Sequence, residues 1–247
     1  MDQSKRRENL IEYLLEEQNQ KIDIPKDKIS QEILLRGLFN IRMPKRTSDV
    51  FLETQNSYLQ EYIKSTGVTD IKDLQPIQKD LYLWRGDITT LKCDAIVNAA
   101  NSQMLGCFIP NHRCIDNAIH TFAGIKLREE CYTLMKSLGR EAKTGEAFLT
   151  NAYNLPSKYV IHTVGPIVYS SLTEENKKDL EKCYLSCLEL AEQKNLDSIA
   201  FCCISTGEFH FPNDEAARIA IQTVLKYKEE TKSKMKVIFN VFKELDY

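Results

Sequence analysis

Two cysteines and one histidine fall within the stretch Cys107-Phe108-Ile109-Pro110-Asn111-His112-Arg113-Cys114 of this 247-residue chain. Thiolate sulfur and imidazole nitrogen are the soft and borderline donors that zinc prefers. The C-x4-H-x-C spacing is not that of a zinc finger. Three donors also leave one position of a tetrahedral ion for water or substrate, as catalytic sites do. The bland alternative is an accidental cluster, because a free cysteine packs like a small apolar side chain. That reading is preferred for the remaining cysteines. Cys202 and Cys203 are adjacent in an apolar run and point to opposite faces of a strand, while Cys183 and Cys187 lie one helical turn apart. His120 and His162 fall inside a predicted helix and strand and read as satisfied structural histidines.

Three more segments carry polar groups suited to a ligand. In Arg85-Gly86-Asp87-Ile88-Thr89, a carboxylate follows a glycine and can accept hydrogen bonds from a base or hydroxyl, or simply begin a turn. Asp94-Ala95-Ile96-Val97-Asn98-Ala99-Ala100-Asn101 reads as a strand ending in small residues and an amide, where a ligand can approach closely. Ile204-Ser205-Thr206-Gly207-Glu208-Phe209-His210-Phe211-Pro212 follows another strand and precedes a helix, so its turn can present backbone N–H groups to a pyrophosphate. His210 can be read as a ligand contact, a loop support or a closing metal ligand.

Short apolar runs must carry these loops. Leu81–Trp84, Ala95–Ala99, Ala147–Leu149, Tyr159–Val164, Ile199–Ile204 and Val237–Phe242 read as strands. Ile115–Phe122, Lys126–Leu138, Glu174–Gln193 and Asn213–Glu230 read as amphipathic helices between them. The result is a layered α/β domain over residues 78–247, with ligands expected at the carboxyl ends of its strands, in the loops after Ala99 and Ile204. Residues 1–77 form a different unit. Leu10, Leu14 and Leu15, then Ile33, Leu34 and Leu38, then Leu52, Leu59, Tyr62 and Ile63 recur near the helical period, broken at Pro25, Pro44 and Gly67. Three helices are predicted, packed as a layer that covers one side of the main domain.

Hydrophobic residues at 43% and charged residues at 28% are the balance of a globular protein with a substantial core. A net charge of -2 offers no broad cationic field for a nucleic-acid backbone. No apolar run suggests a membrane span, and the charged opening stretch contains no export core, so a cytoplasmic protein with reduced thiols is expected.

In this order and spacing, the segments from Leu81 to Tyr247 resemble the macrodomain family. The resemblance implies a three-layer α/β/α fold around a mixed sheet. It implies that Asp87 receives the adenine amino group with the Ile88 N–H beside it, and that Asn101 faces the distal ribose. Ser205, Thr206, Gly207, Glu208 and Phe209 would surround the phosphates, with the Phe209 ring near that ribose. Ordinary macrodomains carry a glycine-rich loop after the asparagine, where this chain has its Cys-His-Cys stretch, and a glycine where it has His210. Together with the helical extension, this variant resembles the zinc-dependent microbial subgroup.

That likeness implies one Zn2+ held by Cys107, His112 and Cys114, and removal of mono-ADP-ribose from modified, acidic protein side chains. It also implies, as partner system, a sirtuin-type ADP-ribosyltransferase and a lipoyl-carrying protein. The ion would polarise a ribose or phosphate oxygen, or make water nucleophilic by lowering its pKa toward about 7. Asn101 would orient the sugar, and no side-chain general base is evident. A non-catalytic ADP-ribose reader and an O-acetyl-ADP-ribose deacetylase are the competing functions.

Overall fold

A computed structural model describes residues 1–247. The helical first segment forms three helices, α1 (Gln3–Glu17), α2 (Lys28–Ile41) and α3 (Asp49–Thr66). Each begins where a short polar side chain, Asp2, Asp27 or Ser48, accepts a hydrogen bond from a first-turn N–H. Pro25 and Pro44 fall between the helices and Gly67 ends the third, as their backbone preferences require. The rest of the chain supplies β1 (Thr69–Asp70), β2 (Leu81–Arg85), β3 (Leu91–Lys92), β4 (Ala95–Ala100), α4 (Ile115–Ala123), α5 (Ile125–Leu138) and β5 (Ala147–Asn151). It ends with β6 (Tyr159–Val164), α6 (Glu174–Gln193), β7 (Ser198–Phe201), α7 (Asn213–Thr231) and β8 (Lys236–Val241). No helix is long and apolar enough to cross a membrane.

Six strands form one mixed sheet in the order β2-β8-β7-β4-β6-β5, with only the edge strand β5 antiparallel. The α4–α5 pair and the α6–α7 pair cover the sheet in the three layers predicted. β7 is shorter than the predicted Ile199–Ile204. Its pairing with β4 ends at Ile96↔Ala200, although β4 continues to Ala100 beside β6, so Cys202 onward leaves the sheet. The strands therefore part at their carboxyl ends, where α/β sheets form ligand crevices. The two-residue strands β1 and β3, too short for a periodicity to be read, pair in parallel across residues 69–92.

All eight cysteines are free thiols. Cys183 and Cys187 are fully buried in the main core and Cys202 nearly so, which fits the packing role read for them.

The helical layer has its own apolar cluster, built from Leu10, Leu14, Leu35, Leu38, Leu59 and neighbours, which also takes in Ile125 of α5. Polar contacts fasten the layer to the sheet domain. Buried Arg128 of α5 donates to the carbonyls of Phe39, Asn40 and Arg42, the orphan acceptors at the end of α2, and to Leu105 O. Gln55 of α3 accepts from the Ile125 N–H at the start of α5. Hydrogen bonds to a charged donor contribute about 1.5–3 kcal/mol, and their buried acceptors would be costly to strip. The layer and the sheet domain are accordingly expected to unfold together. Leu14→Ala, at a site with no exposure, should cost about 2–5 kcal/mol in one denaturant transition with unchanged m-value. A separate early helical transition would contradict this coupling.

Candidate active site

Where β4 and β7 part, the loop after β4 and the loop after β7 face one another. The first runs from Asn101 to Cys114 and has no regular structure. Within it, the Asn101 side chain turns back on its own loop. Its Oδ1 accepts from the N–H groups of Gln103 and Met104, and its Nδ2 donates to Gly106 O. That leaves the second amide hydrogen of Nδ2 as the group able to meet a hydroxyl.

Cys107, His112 and Cys114 are brought together by this loop. Their three donor atoms lie within 4.8 Å of one another and each residue is half-buried. Two ligands on a tetrahedral zinc stand about 3.6 Å apart. Cys107 Sγ and His112 Nδ1 are separated by 3.5 Å. The donor set and its spacing therefore fit a divalent ion of the zinc type. Cys114 caps α4: its sulfur accepts from the Asn117 N–H at 3.4 Å, at the positive end of the helix. Burial pushes the Cys114 thiol up to about 12, so a metal must displace a firmly held proton.

The opposing loop, Ser205 to Phe209, approaches this cluster. His112 Nε2 lies 3.6 Å from Glu208 Oε1. With Nδ1 turned toward the sulfurs, Nε2–H facing a carboxylate is the arrangement that holds a metal-binding imidazole in the required tautomer. The sequence suggested no acidic side chain near the thiols; a glutamate one loop away carries no local signal of that proximity. Ser205 is buried at φ +65°, a conformation rare outside glycine, and the Phe211 N–H donates to its carbonyl to close the turn. The N–H groups of Gly207, Glu208 and Phe209 make no backbone hydrogen bond, so they are free to face an anion. His210 is exposed, also at positive φ, and its N–H closes a turn on Gly207 O.

Asp87 follows β2 and caps a short turn, its Oδ1 accepting from both the N–H and the hydroxyl of Thr89. The turn reading holds, and Oδ2 makes no hydrogen bond of its own. Ile88 beside it is buried. Gly86 is required by a close approach, since a Cβ there would stand 2.3 Å from the Trp84 ring. Asp87 lines a groove of about 410 Å³ together with Trp84, Thr89 and Phe122 and with Tyr62 and Thr66 of α3. The Tyr62 and Phe122 rings stack with centroids 5.4 Å apart and planes 13° from parallel. The helical layer thus forms one wall of the groove.

A second His–Cys grouping lies in the core: His120, Cys131 and His162. His162 is satisfied as predicted, with Asn98 Nδ2 at 3.1 Å from Nδ1 and Thr150 Oγ1 at 2.9 Å from Nε2. Both its nitrogens are in use, which leaves no lone pair for an ion. His120 departs from the expectation of a satisfied residue: neither ring nitrogen has a hydrogen-bond partner, and the Asp116 carboxylate stops 3.6 Å away. Burial holds both imidazoles well below the usual histidine range, in the neutral form.

Known proteins resemble the chain in sequence and in fold. The Macro domain family matches residues 97–220. A protein-ADP-ribose hydrolase of Treponema medium is 53% identical over 252 residues, covering 100% of this chain and 97% of the relative. A probable bifunctional ADP-ribose hydrolase/ADP-ribosyltransferase of Fusarium oxysporum f. sp. cubense is 51% identical over 176 residues, 67% of this chain and 30% of the relative. The crystal structure of a Trypanosoma brucei macrodomain in complex with ADP-ribose superposes with a TM-score of 0.66 at 33% identity, over 86% of this chain and 91% of that one. On fold, loop placement and sequence together, the chain belongs to the Macro domain family.

Proposed function

We propose that this chain is a zinc-dependent protein-ADP-ribose hydrolase, which binds ADP-ribose and cleaves the bond joining its distal ribose to an acidic side chain of a modified protein. The carrying observation is the meeting of the two loops: His112 of a two-thiol, one-imidazole cluster lies 3.6 Å from Glu208, in the loop whose N–H groups at 207–209 make no backbone hydrogen bond. The name of the Treponema relative supports the activity, and the ADP-ribose complex of the trypanosomal macrodomain supports the ligand.

In this reading, Asp87 Oδ2 and the Ile88 N–H receive adenine, and the groove walled by Tyr62 and Phe122 holds the adenosine. The N–H groups of Gly207, Glu208 and Phe209 hold the pyrophosphate, preorganised so that binding fixes the anomeric carbon beside the cluster. Ser205 and Thr206 shape that turn, and the Phe209 ring borders the sugar. The free Nδ2 hydrogen of Asn101 orients the ribose. Cys107, His112 and Cys114 would hold the zinc ion, and when bound it would supply Lewis acidity. Glu208 Oε1 faces the His112 Nε2–H, which donates toward it, and so leaves the Nδ1 lone pair available to a metal. Hydrolysis adds the water hydroxyl to the anomeric carbon and returns the side chain as a carboxylic acid.

The hydrolase and transferase functions joined in the name of the Fusarium relative support pairing with an ADP-ribosyltransferase. We take that transferase to be sirtuin-type, its target a lipoyl-carrying protein, and the compartment the cytoplasm.

The deciding experiment measures metal content and ADP-ribose release on one preparation, before and after chelation. Release should disappear with the metal and return with zinc. Cys107→Ala, His112→Ala and Cys114→Ala should each lower release about 100-fold or more, or about 3 kcal/mol of barrier, and leave the fold intact. Full turnover by a metal-free variant would overturn the catalytic role. For Asn101→Ala, kcat should fall about 10–100-fold with little change in the Kd for ADP-ribose. Equal losses in both would refute an orienting role. Removing an aromatic wall from a bound base costs about 1–3 kcal/mol, so Tyr62→Ala should weaken ADP-ribose binding by that amount in calorimetry. Unchanged affinity would place the adenosine elsewhere.

A further inference from the structure

The loop that carries the metal donors does little to hold its own shape. Between Cys107 and Cys114 the single internal backbone hydrogen bond runs from His112 N–H to Ile109 O. Its remaining constraints come from outside. Fully buried Asn117 donates through Nδ2 to Ile109 O at 3.1 Å and Cys107 O at 3.5 Å, while its N–H reaches Cys114 Sγ. Asn117 Oδ1 in turn accepts from Arg36 Nη2 at 2.9 Å and Nε at 3.3 Å, and Arg36 Nη2 also donates to His112 O at 3.3 Å. One turn further along α2, Asn40 Oδ1 accepts the Asn111 N–H at 2.9 Å. Between them, a Cβ at Gly37 would stand 3.2 Å from Asn111 Nδ2, so the helix backbone lies directly against the loop.

We infer that α2 is a working part of the metal centre and that Arg36 is its positioning residue, holding the Cys107–Cys114 loop in ligating shape through Asn117 and the His112 carbonyl. The inference rests on the metal reading proposed above. Its physical basis is preorganisation. A loop that must find its shape on binding loses affinity, and partners just outside the ligand shell are typically worth 10–100-fold in metal affinity. The planar guanidinium suits this place: its fork reaches Asn117 Oδ1 with two nitrogens while one of them also reaches the His112 carbonyl. A lysine retains the charge but not the fork.

The test uses the full chain with Co2+ as the probe, whose thiolate absorption bands report the ligand set. Wild type, Arg36→Lys and Arg36→Met are titrated against a competing chelator. Amide hydrogen exchange over residues 107–114 and over α1 is followed in the metal-free forms. Arg36→Met should lose about 10–100-fold in Co2+ affinity, with Arg36→Lys between it and wild type. Exchange should speed up over residues 107–114 with α1 unchanged. Wild-type affinity together with unchanged exchange would overturn the inference. Faster exchange throughout α1 would do so too, because it would mean general loosening rather than positioning. If wild type itself binds neither Co2+ nor Zn2+, the metal reading falls, and exchange at 107–114 alone decides whether Arg36 holds the loop.

Discussion

The buried amide of Asn117 is the contact on which the arrangement of this molecule turns. Its side chain satisfies two carbonyls of an irregular loop, its main chain caps against a cysteine sulfur, and its remaining oxygen receives a guanidinium from another layer. Each partner is a polar group that would be costly to bury alone. One side chain thereby ties together the start of α4, the two cysteines that bracket the loop and the amino-terminal helices. Because Asn117 occupies the first turn of α4, which packs on β4, the loop is referenced to the rigid sheet rather than to solvent.

The sheet contributes the other half of the geometry. Parallel strands of unequal pairing length cannot stay together to their ends, so β4 and β7 separate past Ile96 and Ala200 and their loops diverge around a crevice. The loop after β4 brings soft donors, the loop after β7 brings free N–H groups and Glu208, and Asp87 follows β2 at the sheet edge. Free N–H groups and soft side-chain donors are thus segregated onto different loops of one crevice. In the proposed function, that division lets a charged, extended ligand be held at one end while its other end meets the thiol and imidazole donors.

The amino-terminal layer is often the kind of segment that merely shields a domain. Here its buried polar contacts argue for more. Arg128 satisfies the last carbonyls of α2, Gln55 meets the start of α5, and Tyr62 lines the groove beside Asp87. Apolar burial alone would allow the layer to slide by small amounts, because dispersion is not directional. Charged and amide hydrogen bonds fix register, and with it the distance between α2 and the Cys107–Cys114 loop.

Much of this was legible in the chain itself. The apolar run at Tyr159–Val164 and the helical period around Leu10, Leu14 and Leu59 mark their elements because a short buried run and a 3.6-residue recurrence are local properties of strand and helix. Cys107, His112 and Cys114 stand out because their donor chemistry is local and their separations are short. The segments holding Asp87, Asn101 and Ser205–Phe209 could be noted as strand ends on the same grounds, but their roles toward a nucleotide came only from the resemblance to macrodomains. Only the tertiary structure decided that Glu208 faces His112, that Asn101 spends its oxygen on its own turn, that His120 is left without a partner, and that Arg36 reaches a loop 76 residues away. These depend on how layers pack and where strands part. The positions are set by hydrogen bonds between segments remote in sequence, and no periodicity or spacing along one segment records them.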